Sequence, residues 1–235
     1  MDERKSRMIG IALFTALAMV GVAIAGWDAR RSTPHARMLR AIRAAPIASI
    51  AGASDGQYVR LVGALRLGEQ KLVAPLSQRT CACYLAVVEE LRSGENGSYW
   101  YELAKESVSC DFVVEDATGR AHVRGVSQTE PAIVLDHLTG SSGPHDPKKR
   151  ELALLKRHAL SPTHFVRGRV RYGEGALEPD ERVTVVGRAR WEDDPTPGAI
   201  DPTGYRDTSR RRRLVIEPMP DGRLFISNEP MALTR

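Results

Sequence analysis

The chain has 235 residues, with 34 Lys and Arg against 29 Asp and Glu for a net charge of +5, and it carries 42% hydrophobic residues, 6% aromatics and three cysteines. These proportions exclude a disordered tail and a disulfide-stapled miniprotein, and they leave room for one ordinary domain with appendages or for two small domains. The basic excess lies in the first 45 residues, with eight Lys and Arg against three Asp and Glu, so the rest is neutral overall and nucleic acid is not an expected partner.

After a seven-residue flank, Met8 to Trp27 is a run of 20 residues without a charge, long enough as a helix to cross one hydrocarbon core of about 30 Å. A cleavable export signal is the competing reading, because Ala23-Ile24-Ala25 has the small-x-small form of a cleavage site. The weakly basic flank and the arginines just beyond the run favour a retained single-pass anchor. Lys and Arg counted near the run favour a cytoplasmic position for the C-terminal domain. Residues 28–46 read as a basic amphipathic juxtamembrane segment: Met38, Leu39, Ile42 and Ala45 share one helical face and Arg37, Arg40 and Arg43 another. With Arg30 and Arg31, these arginines are the expected contacts to anionic head groups. A connector helix packed on its own domain is the alternative.

From about residue 47 the period changes from 3.6 to 2. Short apolar-alternating runs (QYVRLVG from Gln57, KLVAPLS from Lys71, CACYLAVVEELR from Cys81, SYWYELA from Ser98, DFVVEDATGRAHV from Asp111) are separated by Gly, Ser, Asn and Pro. That pattern predicts a mainly β domain over 47–227, an OB-like antiparallel barrel or sandwich. Asp116 to Gly119 reads as a hairpin turn. One inserted helix is expected from Pro147 to Leu160, capped by Asp146, with Leu152, Leu155 and Ala159 as its stripe. Strands resume through THFVRGRVRY, a turn at Glu178 to Asp180, and RVTVVGRARW from Arg182, expected to be buried on one face and wet on the other. A Pro/Gly/Asp-rich loop over 192–208, two more strands ending at Ser227 and a tail over 228–235 complete the chain. VRLVG (59–63) is echoed by VTVVG (183–187), and VVEDATGRAHV (113–123) by VIEPMPDGRLFI (215–226), in the same order. Either a hairpin unit is duplicated or common strand-turn chemistry recurs.

Catalytic patterns are absent from the sequence: there is no GxSxG, HExxH, GxxxxGK[ST] or post-strand GxGxxG. No catalytic residue and no cofactor is expected. Strand alternation puts Cys81 and Cys83 on one face, where they could act as a dithiol or as soft metal ligands, although small buried hydrophobes are the commoner use. An unpaired third cysteine fits a reducing compartment. Tyr99 and Tyr101 are expected on one face of their strand and Trp100 on the other, with at least one face in the core. Arg210, Arg211, Arg212 and Arg213 form a possible patch for an acidic partner.

Several separated strings, in order, resemble the GIDE domain, also called the BAM (beside a membrane) domain. They are Pro75 to Ser77 with Cys81 and Tyr84; Phe112 with Glu115, Asp116, Thr118 and Gly119; and Glu174 with Val183, Val185 and Gly187. The resemblance covers about residues 47–227. It implies a β-rich domain held beside a bilayer and, in the eukaryotic members, an E3 ubiquitin ligase with a C-terminal zinc RING. A RING needs about eight Cys or His ligands in spaced pairs, and no CxxC occurs here, so the chain resembles a bacterial-type member lacking the RING. The resemblance implies a membrane-anchored, non-catalytic binding or scaffolding module whose partners are the lipid bilayer and an unidentified protein. Ubiquitin transfer by descent and single-strand nucleic-acid binding by an OB-like face are the alternatives.

Overall fold

The computed structural model describes residues 34–95, 97–126, 131–135, 139–143, 147–161, 169–194 and 212–234. The run Met8 to Trp27, Arg30, Arg31, Asp146, Arg210 and Arg211 lie outside them. Among the described residues no helix is long and apolar enough to cross a membrane.

The chain is mainly β, and its centre is a closed barrel of five strands. These are β1 (Tyr58–Leu67), β6 (Phe112–Asp116), β7 (Gly119–Val123), β12 (Arg212–Glu217) and β11 (Arg182–Asp193), hydrogen-bonded in that order, with β1 and β11 closing the ring. Alternation drives closure: Val59, Leu61, Leu65, Phe112, Val114, Ala121, Val123, Val183, Val185, Ala189, Leu214 and Ile216 all point into one buried cluster. The ring is not wholly antiparallel as expected, because β7 and β12 pair in parallel. Strands β13 (Phe225–Ser227) and β8 (Ala132–Val134) extend the sheet from β11, also through a parallel pair.

Two insertions into the barrel build a second layer. The first carries the two-residue strands β2 (Leu72–Val73) and β3 (Thr80–Cys81) and the long pair β4 (Cys83–Gly94) and β5 (Gly97–Ser109); the second carries β9 (Thr139–Gly143), a helix and β10 (Val170–Leu177). They combine into an antiparallel sheet ordered β5-β4-β10-β9. One face of β4 presents Cys83 and Leu85 to the barrel cluster, while Tyr84, Ala86 and Val88 join Val170, Tyr172 and Ala176 in a second cluster capped by Leu154 and Leu155.

Three helices are described: α1 (Pro34–Ala44), α2 (Lys149–Arg157) and α3 (Pro230–Leu233). Helix α2 is shorter than its periodicity implied. The Lys148 backbone N–H donates to Glu151 Oε2 at 2.8 Å, so the N-terminus is fixed from inside the helix. Ala159 adopts φ +53° and Leu160 N donates back to Leu155 O, which ends the helix early. Its buried pair is Leu154 and Leu155, not the expected Leu152, Leu155 and Ala159. Strand β11 also departs from expectation: Thr184 and Val186, on the face expected to be wet, are fully buried, and Thr184 Oγ1 donates to Ala232 O at 2.7 Å. Part of the expected tail therefore belongs to the fold.

The first sequence echo, and the first strand of the second, occupy equivalent positions. β1 and β11 pair antiparallel with Val59 opposite Gly187 and Gly63 opposite Val183, so the two VxxxG strands face each other about a local twofold centred on Leu61 and Val185. Beyond each glycine the next pairing repeats in register: Ala64 to Leu67 oppose Glu115 to Phe112, and Arg188 to Trp191 oppose Glu217 to Leu214. The glycines do the same work. A Cβ at Gly63 would lie 2.4 Å from Glu115 O and 2.7 Å from Val114 Cγ1; at Gly187 it would lie 2.7 Å from both Glu217 O and Ile216 Cγ2. The symmetry stops at the next strand, since β7 pairs with β6 whereas β13 pairs with β11.

Candidate functional site

The residues of the sequence pattern fall into two groups, each organised around one carboxylate. In the second layer, Glu174 on β10 is 2% exposed and reaches the turn after β2, which is 97 residues away for Ser77. Its Oε2 accepts from Leu76 N at 2.5 Å and its Oε1 from Ser77 N at 3.0 Å. Pro75 and Gln78 shape that turn, Gln78 at φ +68°. Ser77 Oγ accepts from Arg79 N and Nε at 3.2 and 3.0 Å, and Arg79 pairs with Glu178. From α2, Arg150 Nη1 donates to Leu76 O at 3.0 Å. A cleft of about 480 Å³ lies over the turn, lined by Ser77, Lys148, Lys149, Tyr172 and Glu174 among others.

Tyr84, on the same side of β4, hydrogen-bonds Glu106 of β5. Glu106 also meets His158 Nε2 at 3.1 Å and Arg157 Nη1 at 3.2 Å, tying the end of α2 to the sheet. Burial, followed by the Glu106 bond and charge, pushes the Tyr84 phenol well above its ordinary range. This network has no periodic or motif signature, and sequence reasoning missed it.

In the barrel, Asp116 has the matching role. Its Oδ1 accepts from Thr118 N and Oγ1, both at 2.6 Å, and from Gly119 N at 3.0 Å; its Oδ2 accepts from Ile50 N at 2.9 Å. Thr118 Oγ1 in turn accepts from Ala51 N at 3.0 Å. The hairpin thus holds the segment that leads into β1. Burial raises the Asp116 pKa, but the bonds from Thr118, Ile50 and Gly119 outweigh it and the net shift is downward. Phe112 is buried in the barrel cluster, and Gly187 is the close approach described above.

The cysteine pair does not form the expected shared face. The chain bends at Ala82, sending Cys81 into the second cluster and Cys83, with Cys110, into the barrel cluster. Burial, then the neighbouring thiols, pushes Cys81 up to about 12 and Cys83 well above the ordinary value; burial and then Asp111 raise Cys110. Thiols in this state are poor nucleophiles at neutral pH. Among the described residues no group of three or more His, Cys, Asp or Glu is arranged to hold a metal ion.

At the tip of the β4–β5 hairpin neither face is core: Tyr99 and Tyr101 are 51% and 44% exposed, Arg92 lies over the Tyr101 ring and Arg171 over Trp100. A second groove of about 470 Å³ runs over the outside of β6, β7 and β12, lined by Glu69, Asp111, His122, Arg124 and Arg213 among others. Two of its cations, Arg124 and Arg213, share a single carboxylate, Glu192. Burial, with Arg213 and Arg124 nearby, pushes the His122 pKa down. Of the expected arginine patch, Arg213 is bound to Glu192, and exposed Arg212 donates to Trp191 O at 3.1 Å. On α1, Arg37, Arg40 and Arg43 are exposed, whereas Ile42 and Ala45 are buried in the protein. The C-terminal end of the apolar face therefore packs on the domain.

Comparison with models of known protein families, with curated proteins and with solved structures finds no match for this chain.

Proposed function

We propose that the chain is a membrane-anchored protein that presents a GIDE/BAM-like, OB-like barrel at the bilayer surface as a non-catalytic binding module. One observation carries the reading. The two buried or half-buried carboxylates of the sequence pattern, Glu174 and Asp116, accept hydrogen bonds from backbone N–H groups of neighbouring segments. Residues used in this way encode a fold, which supports a structural rather than a catalytic use of the sequence pattern. The OB-like assignment is supported by the strand order, in which the first strand lies between the second and the fourth and the third runs parallel to the fifth. The anchor is the apolar run Met8 to Trp27, and the arginines on its C-terminal side favour a cytoplasmic position for the barrel.

Single-strand nucleic-acid binding has less support. The outer groove of β6, β7 and β12 has its arginines paired to Glu192, and its lining residues include no exposed aromatic platform. Crosslinking of the full chain in native membranes, followed by affinity capture, tests the proposal. A protein partner captured reproducibly, with no ubiquitin self-modification in the presence of charged E2 enzyme, is expected. Self-modification, or salt-sensitive capture of single-stranded nucleic acid in place of a protein, would overturn it.

A further inference from the structure

Every arginine that forms an ion pair in the barrel finds its carboxylate nearby: Arg66 with Glu115, Arg120 with Glu115, Arg124 and Arg213 with Glu192, Arg190 with Glu217. Arg60 has no such pair among the described residues, as is true of Arg182, Arg188 and Arg212, but those three are exposed and Arg60 is buried. It lies on β1 between Val59 and Leu61, which point into the barrel, so its own side chain stands on the outer face. It is nonetheless only 5% exposed, its Nε is buried without any hydrogen-bond acceptor, and no carboxylate pairs with it among the described residues. The charged group that acts on it is a second cation, Arg43, and burial followed by Arg43 pushes its pKa down. A buried cation beside another cation is electrostatically uncompensated, and such a group calls for an anion.

The surroundings indicate which anion fits. Segment 46–48 runs alongside Arg60, with Arg60 N donating to Pro46 O at 2.8 Å and Ala48 N donating to Arg60 O at 3.1 Å. Between those contacts Ile47 is bridged to Arg60 and stands 41% exposed. Arg43 is exposed at the end of α1. A buried guanidinium beside an exposed branched apolar side chain, with the charge of Arg43 acting on it, matches a phosphodiester with a hydrocarbon chain attached. These residues sit shortly after the apolar run Met8 to Trp27 in the sequence. A guanidinium fork meets phosphate oxygens two at a time, which a lysine does not.

We infer that Arg60 and Arg43 form a site for the phosphate of an anionic lipid head group, with Ile47 against the adjoining acyl region. The inference rests on the proposed membrane position and adds a specific lipid contact to it.

The test uses the full chain reconstituted into phosphatidylcholine nanodiscs with and without phosphatidylglycerol, and reads by native mass spectrometry which lipid stays bound after release. Incorporation into pure phosphatidylcholine discs is scored first. Failure at that step counts against the membrane position itself and is separate from the lipid site. Once the chain is incorporated, wild type is expected to retain phosphatidylglycerol over phosphatidylcholine by about tenfold, the scale of a charge-assisted hydrogen-bonded contact. Arg60→Met should abolish the preference while melting no lower than wild type in phosphatidylcholine, because an apolar stem replaces an unpaired charge. Arg43→Gln should reduce the preference. An unchanged preference in Arg60→Met overturns the site. If that variant does not fold, Arg60→Lys decides: it keeps the charge without the fork and should lose several-fold, and no loss overturns the site. Titration of inorganic phosphate into the detergent-solubilised chain separates the two sources of phosphate. Stabilisation by free phosphate equal to that by phosphatidylglycerol would overturn the lipid assignment.

Discussion

Replacing Glu174 by glutamine tests directly whether the sequence pattern encodes structure. The carboxylate is 2% exposed and accepts from two backbone N–H groups of the Pro75–Ser77 turn. An amide keeps one acceptor oxygen and turns the other position into a donor facing a donor. The loss of one hydrogen bond to a charged group is about 1.5–3 kcal/mol, and the half-buried N–H left without a partner adds about 1–3 kcal/mol. The expected total is about 2.5–6 kcal/mol, which for a domain of this size lowers the melting temperature by roughly 5–24 °C. Urea denaturation followed by circular dichroism measures it. Ser77→Ala in the same turn is the internal control: Ser77 is exposed and its hydroxyl only accepts from Arg79, so a change within about 0.5 kcal/mol is expected. A Glu174→Gln cost below about 1 kcal/mol, or equal costs for the two variants, would refute the assignment of Glu174 as the fastener of the turn.

Gly63→Ala and Gly187→Ala should each destabilise by about 1–3 kcal/mol or more, since the new methyl meets backbone oxygen of a paired strand in both places; a neutral effect at one with a large effect at the other would contradict their structural equivalence. Asp116 has a lowered pKa in the folded protein, so its contribution is present above the unfolded value of about 3.9 and is lost as pH falls through the folded value. Asp116→Asn should be less stable than wild type at pH 7 and show a flatter loss of stability on acidification; parallel acid limbs would count against the hydrogen-bond arrangement. The three cysteines, buried and with raised thiol pKa values, should react slowly with an alkylating reagent at pH 8 in the folded chain and fully after unfolding, as read by mass spectrometry. Fast modification of any of them without unfolding would contradict their burial.

What could be read from the sequence was what local periodicity and turn chemistry determine. The β-rich class, the Asp116–Gly119 hairpin, the turn at Glu178 to Asp180 and the strand starting at Arg182 all stem from alternation and short-range hydrogen bonding. Long-range pairings were not legible, because nothing local marks them. The parallel contact of β7 with β12 depends on where two insertions route the chain, and the burial of Thr184 depends on α3 folding back over β11. The Cys81–Cys83 alternation failed at a single bend at Ala82, which a period-2 rule does not contain. For the candidate site, the pattern residues were singled out in sequence, yet their partners were not: Glu174 finds Leu76 and Ser77 across 98 and 97 residues. Arg60 illustrates the limit most plainly. In sequence it is an arginine alternating with apolar neighbours and nothing marks it out, and only the packing around it shows a buried cation without a carboxylate among the described residues. The echo of VRLVG in VTVVG went further than either string implied, since the two strands pair with each other and repeat their next neighbour in register.

The central claim, a β-barrel module held at a membrane by Met8 to Trp27, is tested most directly by alkaline carbonate extraction of membranes containing the full chain, beside a variant carrying Leu13→Arg and Val20→Arg. Retention of the intact chain in the membrane pellet, with release of the variant as folded protein, is the expected result. Complete release of the unaltered chain, or recovery of a product that begins after Ala25, would contradict the anchored account.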